Sequence, residues 1–197
     1  MKTATKQLST KDRILEVASR LFYTQGYNAT GIQQIIDEAG VSKGSFYTHF
    51  KTKDHLALEY LRKTSSIELG GMKSVVSDIK DPKERFKQFM DIMKEWMIST
   101  NYRGCAFLNM AAEVTDLKSP IRKEAKYHYE GYRAVLRDIV DEYLKSDPKL
   151  KGMDAQFIAD QYMMLAIGAL TNSEVYQDTW PFDHAKKAML KLVGEKG

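Results

Sequence analysis

The chain has 197 residues, 43% of them hydrophobic and 28% charged, with a single cysteine. This balance excludes a disordered polyelectrolyte and suits one or two globular domains. One cysteine excludes an internal disulfide framework and fits a reducing compartment, so a cytoplasmic location is expected. No uncharged apolar stretch approaches the roughly 18 residues of a membrane span, and the opening MKTATKQLSTKDR has no apolar segment of a secretory signal. The net charge of +4 is unevenly placed: residues 1–63 hold ten Lys/Arg against six Asp/Glu, and the remainder holds twenty of each. An excess of cations confined to one module suits a polyanion, whose condensed counterions it displaces. Ordinary variation in surface charge is the alternative.

In chain order, Ile14, Leu15, Ala18, Leu21 and Phe22 fall on one face of a first helix, with Ser9 as N-cap and Gly26 at its end. Ile32, Ile35, Ile36 and Ala39 define a second, with Thr30 and Gln33 as a capping box and Gly40 as its stop. Ser42 caps a third that ends near His49. Thr52 caps a fourth carrying Leu56, Tyr60 and Leu61, which Gly70-Gly71 is expected to interrupt. Asp81-Pro82 opens a fifth, with Phe86, Phe89, Met90, Met93 and Met97 on one side. A short helix over 106–116 follows, then one from Ser119-Pro120 to Asp147-Pro148, and two more over 154–173 and 182–193. No alternating strand and no repeat is seen. The fold class is all-α: a helix-turn-helix domain over 1–55 and a larger helical domain over 56–197.

Two short helices separated by Ala39-Gly40-Val41 match a helix-turn-helix, in which the second helix enters the DNA major groove. Ile36, Val41, Phe46 and Phe50 are positioned to pack the pair onto Leu21 and Phe22. Ser42, Lys43, Gly44, Ser45, Tyr47 and His49 are left on the outer face. Lys43 is able to donate to guanine O6 or N7, and Gly44 removes bulk where the helix approaches closely.

The runs F-Y-T-Q-G-Y at 22–27, T-G-I-Q-Q-I at 30–35, A-G-V-S-K-G-S-F-Y-T-H-F at 39–50 and K-T-K-D at 51–54 resemble the N-terminal signature of the TetR family of bacterial repressors. The resemblance implies phosphate contacts from Thr30, Tyr47, His49 and Lys53, with Gln33 or Gln34 as a weaker contact. It implies base contacts from Ser42, Lys43, Gly44 and Ser45. Lys6 and Lys11 read as solvated, with a basic arm on DNA as the alternative.

The resemblance further implies a dimerising C-terminal domain that binds a small effector. Methionine and aromatic side chains between helices suit an apolar or aromatic molecule. The candidate pocket residues are Phe89, Met90, Met93, Trp96, Met97 and Cys105, with Phe107, Met110, Tyr127, Met163 and Met164. A plain core stripe is the competing account of the same pattern. Cys105 lies in an R-G-C-A-F-L-N-M run like those of some family members, a few of which sense oxidants. Arg103 and a helix start nearby would favour its thiolate, against an inert buried cysteine as the simpler account. The penultimate helix is apolar on two faces, as expected of a helix packed on its own core and on a partner, with Ala166, Gly168 and Ala169 allowing close approach. The resemblance implies a homodimer on palindromic operator DNA, and repression rather than activation. Against an enzyme stand the lack of metal-ligand spacing among the four histidines and of a phosphate-binding glycine loop. No metal or cofactor is expected. A helical ligand carrier without DNA function is countered by the first 55 residues.

Overall fold

The computed structural model describes residues 8–195, and these residues form helices and connecting turns with no strand. The helices are α1 (Thr10–Gln25), α2 (Ile32–Ala39), α3 (Lys43–His49), α4 (Lys53–Asp78), α5 (Pro82–Ser99), α6 (Ala106–Glu113), α7 (Pro120–Ser146), α8 (Ala155–Tyr176) and α9 (Trp180–Leu192). A single 3₁₀ turn, Pro148–Leu150, separates α7 from α8. The chain divides into two compact units. The first takes the chain through Ser65 together with Ala106–Ala125, and the second takes Ser66–Cys105 and the chain from Lys126 onward.

In the first unit α1 starts where the Ser9 hydroxyl accepts from the Asp12 N–H at 3.1 Å. It buries Ile14, Leu15, Ala18, Leu21 and Phe22, the face its period marks. The expected Thr30–Gln33 capping box does not form. Gly31 is the N-cap of α2, the Thr30 hydroxyl donates to the Gly26 carbonyl at 2.7 Å, and the Gln33 amide donates to Asp37 at 2.8 Å. A threonine at the end of a tight loop gains more by closing that loop than by capping the helix beyond it. Gly40 adopts a left-handed conformation (φ 62°), which lets its N–H and that of Val41 bond back to the end of α2. The turn then hands over to α3, capped by Ser42 through the Ser45 N–H at 3.1 Å.

The helix α4 belongs to both units, its first part to one and its second part to the other. It runs unbroken through Gly70 and Gly71, contrary to the expected interruption. Each glycine weakens a helix by about 1 kcal/mol, but elongating an established helix adds one hydrogen bond per residue without a new nucleation cost. The sixth helix stops at Glu113 rather than 116, and the last two begin at Ala155 and Trp180. The second unit is centred on Phe86, Phe89, Tyr143 and Tyr162, all within 1% of full burial. Within it the Tyr162 hydroxyl donates to the Phe86 carbonyl at 2.8 Å, so the buried phenol is satisfied.

Candidate functional site

The first unit presents its outer polar residues from an apolar base. Phe46 and Phe50 are completely buried and in tilted contact at 6.1 Å between ring centres. Because α3 has its inward side fixed by these rings, the other side of the helix is held outward. Ser42, Lys43, Gly44 and Tyr47 are exposed, and Ser45 and His49 are half-buried. A Cβ added at Gly44 would meet only the Ser42 hydroxyl, at 3.9 Å, so this glycine is not required by packing within the chain. Gln33 is exposed on α2, although its amide is engaged with Asp37.

Two residues expected at phosphates are committed internally. Thr30 is fully buried, with its hydroxyl on Gly26. The Lys53 ammonium donates to the carbonyls of Tyr27 (3.0 Å) and Thr30 (3.2 Å) and lies 4.2 Å from the centre of the Tyr27 ring. Both side chains fix the α1–α2 loop that aims α2. Lys6 lies outside the described residues, and Lys11 pairs with Glu59 at 3.4 Å.

The same loop is gripped by a residue with no signal in the sequence. Glu113, the last residue of α6, accepts from the backbone N–H groups of Tyr27 (3.0 Å) and Asn28 (2.6 Å), and its carbonyl accepts from the Asn28 amide at 3.2 Å. Gly26 makes room for this: its φ is 94°, and a Cβ there would sit 2.7 Å from the Glu113 carboxylate. The opposite side of the loop is tied down where the Tyr27 hydroxyl donates to Asp54. The end of α6 is in turn held by Arg122, which donates to the carbonyls of Ala111 (2.7 Å) and Val114 (3.0 Å).

The second unit contains a cavity of about 340 Å³, at the small end of ligand-binding sites. Ile67, Glu68, Gly71, Met72 and Val75 from α4 form one wall. Phe89, Ile92, Met93 and Trp96 from α5 form another. His128, Tyr129 and Tyr132 come from α7, Ile167 and Leu170 from α8, and Cys105 from the turn before α6. Of the residues expected here, Phe89, Met93, Trp96 and Cys105 line the cavity. Met90 and Met97 on the same helix are instead buried in the core, because their positions on the α5 wheel face inward. Phe107 and Met110 are buried within the first unit. Tyr127 and Met164 are exposed, and Met163 is half-buried away from the lining. The wall from α4 was missed, as were His128 and Tyr132 of α7 and Ile167 and Leu170 of α8, since residues from distant segments converge only once the helices pack.

Burial holds the His128 imidazole neutral, with its pKa lowered to about 4, and pushes the Glu68 carboxyl up to about 7. Their nearest atoms, Nε2 and Oε2, are 3.6 Å apart. The Tyr129 hydroxyl donates to the Cys105 sulfur at 3.4 Å, and the Tyr132 hydroxyl is directed at the Met93 sulfur. Burial raises both phenols far above their ordinary range. Arg103, expected to favour a Cys105 thiolate, is paired with Glu174 at 3.3 Å. Among the described residues no group of His, Cys, Asp and Glu is disposed to hold a metal ion, and no helix is long and apolar enough to cross a membrane.

A left-handed glycine joining two short helices, with a polar outer face fixed by buried rings, defines a helix-turn-helix DNA-binding module, here in one chain with a helical unit that encloses an apolar cavity. Residues 14–60 match the family described as bacterial regulatory proteins, tetR family, and residues 82–189 match the tetracyclin repressor-like C-terminal domain. The regulator YxaF of Bacillus subtilis is 31% identical over 133 residues, covering 66% of this chain and 70% of that protein. QacR of Staphylococcus aureus is 50% identical over 54 residues, covering 27% of this chain and 29% of QacR. The structure of SCO4454, a TetR-family regulator of Streptomyces coelicolor, superposes with a TM-score of 0.83 at 24% identity, covering 94% of this chain and 96% of that one. The chain belongs to the TetR family of bacterial transcriptional regulators. It is a DNA-binding regulator and not an enzyme.

Proposed function

We propose that this regulator is a cytoplasmic repressor that binds a palindromic operator as a homodimer and leaves it when a small molecule enters the cavity of the second unit. One observation carries the reading. The N-terminal part of α4 buries Leu56, Ala57, Tyr60 and Leu61 in the first unit, and the C-terminal part supplies five residues to the cavity wall. A ligand that displaces that wall therefore acts on a rod rooted in the DNA-binding core. A second link runs through α6, which begins next to the cavity residue Cys105 and ends at the Glu113 grip on the α1–α2 loop.

On DNA, Lys43 and the small residues Ser42, Gly44 and Ser45 meet base edges, while Tyr47 and His49 reach phosphates. Gln33 at the start of α2 is a further contact. Thr30 and Lys53 act indirectly, by holding the loop from which α2 springs. Functionally, the boundary between reading head and sensing body falls within α4, beyond Leu56, Ala57, Tyr60 and Leu61, which pack in the first unit.

Dimerisation is supported by the outer surface of the last two helices. Phe157, Met164 and Val175 of α8 and Trp180 of α9 are large apolar side chains left exposed, Val175 by 73%. Ala166 and Ala169 are buried within the chain, whereas a Cβ at Gly168 would meet nothing within 4 Å, leaving an open seat for a partner helix. Pairing of this surface with a second copy puts two α3 helices on one DNA, and their half-sites about one helical turn apart.

The test is selection of binding DNA from a random pool, followed by sedimentation of the complex. Inverted repeats bound by two chains are expected. Enrichment of asymmetric sites bound by a single chain would overturn the dimeric reading.

A further inference from the structure

The two ends of α6 are held in the same way. At the C-terminal end the Glu113 carboxylate sits on Gly26, whose φ is 94°. Before the N-terminal end the carboxylate of Glu174, from the last turn of α8, sits on Gly104, two residues ahead of α6. Gly104 has a φ of 80°, and a Cβ there would collide with that carboxylate. Glu174 also pairs with Arg103 at 3.3 Å, and Arg103, Gly104 and Glu174 are all buried or half-buried. Each glutamate thus closes on a left-handed glycine that leaves room for it.

The loop under Glu174 is strained. Asn101 and Tyr102 have φ of 51° and 55°, left-handed values that L side chains adopt at a cost. Their N–H groups donate to the carbonyls of Ile98 and Met97 in α5, each at 3.0 Å, which holds the near side of the loop. On the far side, where the chain leads into α6, Glu174 holds it. Glu174 itself is not in the cavity wall, but Leu170, one turn earlier on the same face of α8, is, and so is Cys105 beside Gly104.

We propose that Glu174 is a positioning residue for DNA binding: it seats the start of α6, so that Glu113 at the other end keeps the α1–α2 loop, and α2 beyond it, in place. This role rests on the proposed α6 link and adds α8 to it. A helix of eight residues, about 12 Å long, passes a shift of its start on to its end, because its backbone hydrogen bonds fix its length. A displacement of the α8 wall carries Leu170 and Glu174 together, and it reaches the reading head without passing through α4.

The experiment uses the full-length protein and a labelled operator obtained by selection. Operator affinity is measured by anisotropy, and exchange of the Tyr27 amide by NMR, in Glu174→Ala, Glu113→Ala and the double variant. Each single variant is expected to lose about fivefold in operator affinity. The double variant is expected to lose no more than Glu113→Ala alone, whereas independent sites would multiply their losses to about 25-fold. In Glu174→Ala the Tyr27 amide is expected to exchange several-fold faster. The amides of Ile139 and Val140, buried in α7, are expected to keep their rates, which shows that the chain is folded. Glu174→Gln keeps an oxygen on the loop and is expected to restore most of both measures. Glu174→Asp, one methylene shorter, withdraws the carboxylate and is expected to show part of both losses, and it replaces the alanine variant if that one does not fold. Multiplied losses in the double variant, an unaltered Tyr27 amide in Glu174→Ala and Glu174→Asp, or a Glu174→Gln variant as weak as Glu174→Ala would overturn the proposal and leave the α6 link standing. Unchanged operator affinity in Glu113→Ala would overturn the link and the proposal together.

Discussion

The two recognition surfaces of this regulator are built inside out with respect to each other. In the first unit, Phe46 and Phe50 are hidden so that small and polar residues of α3 face outward, all within the nine residues from Ser42 to Phe50. In the second unit the apolar side chains themselves line the cavity proposed for the effector, and they come from α4, α5, α7 and α8. The DNA major groove admits a single helix whose side chains meet the base edges, so a short local motif suffices to read it. A small molecule must be surrounded, which requires side chains distant in sequence.

This contrast can be broken at either end. The largest expected effect is on Phe50→Ala, which should destabilise the protein by about 3–5 kcal/mol and abolish operator binding. Guanidinium unfolding followed by circular dichroism measures the first and fluorescence anisotropy the second. Glu113→Ala removes the carboxylate that accepts two backbone N–H groups of the α1–α2 loop. One part-buried donor, Tyr27, and one exposed donor, Asn28, lose a charged acceptor, at an expected cost of about 1–2 kcal/mol. If instead stability is unchanged, the grip of α6 on the loop is incidental.

Lys43→Ala should leave stability within about 0.5 kcal/mol, since the side chain is exposed, while operator affinity falls by about 1–3 kcal/mol. Ligand binding in the cavity should be untouched, which separates the two surfaces functionally. Gly70→Ala should raise stability by about 0.5–1 kcal/mol, because a Cβ there meets nothing within 4 Å. The smallest effect is expected of Cys105→Ser. Its sulfur accepts from the Tyr129 hydroxyl, and its arginine neighbour is paired with Glu174, so operator release by a ligand should persist. Loss of an oxidant-triggered release in this variant would restore the sensing role for Cys105.

What could be read before folding follows the same contrast. The helix-turn-helix was legible because its determinants are local: caps at Ser9 and Ser42, the left-handed Gly40, and the alternation of buried rings with exposed small residues along α3. The capping box was misread because Thr30 had two local partners in reach, and only the packed loop decides in favour of Gly26. The continuity of α4 was misread because glycine propensity was weighed without the length of helix on either side. In the cavity, the α5 stripe was recognised, but periodicity alone does not separate Met93, which lines it, from Met90 and Met97, which fill the core. Glu68 and Glu113 carried no sequence signal, since each is an ordinary glutamate until a distant helix gives it a role.

The central claim is that occupancy of the cavity controls the DNA-binding face. Its most direct test is anisotropy of a labelled operator, obtained by selection, titrated with a ligand whose occupancy is followed through the fluorescence of Trp96 in the unaltered chain, with Trp96→Phe as the control that removes the cavity reporter. Operator affinity is expected to fall by at least tenfold over the same concentration range in which Trp96 responds, with sedimentation showing the dimer intact. Saturation of the Trp96 signal with no change in operator affinity would contradict the account.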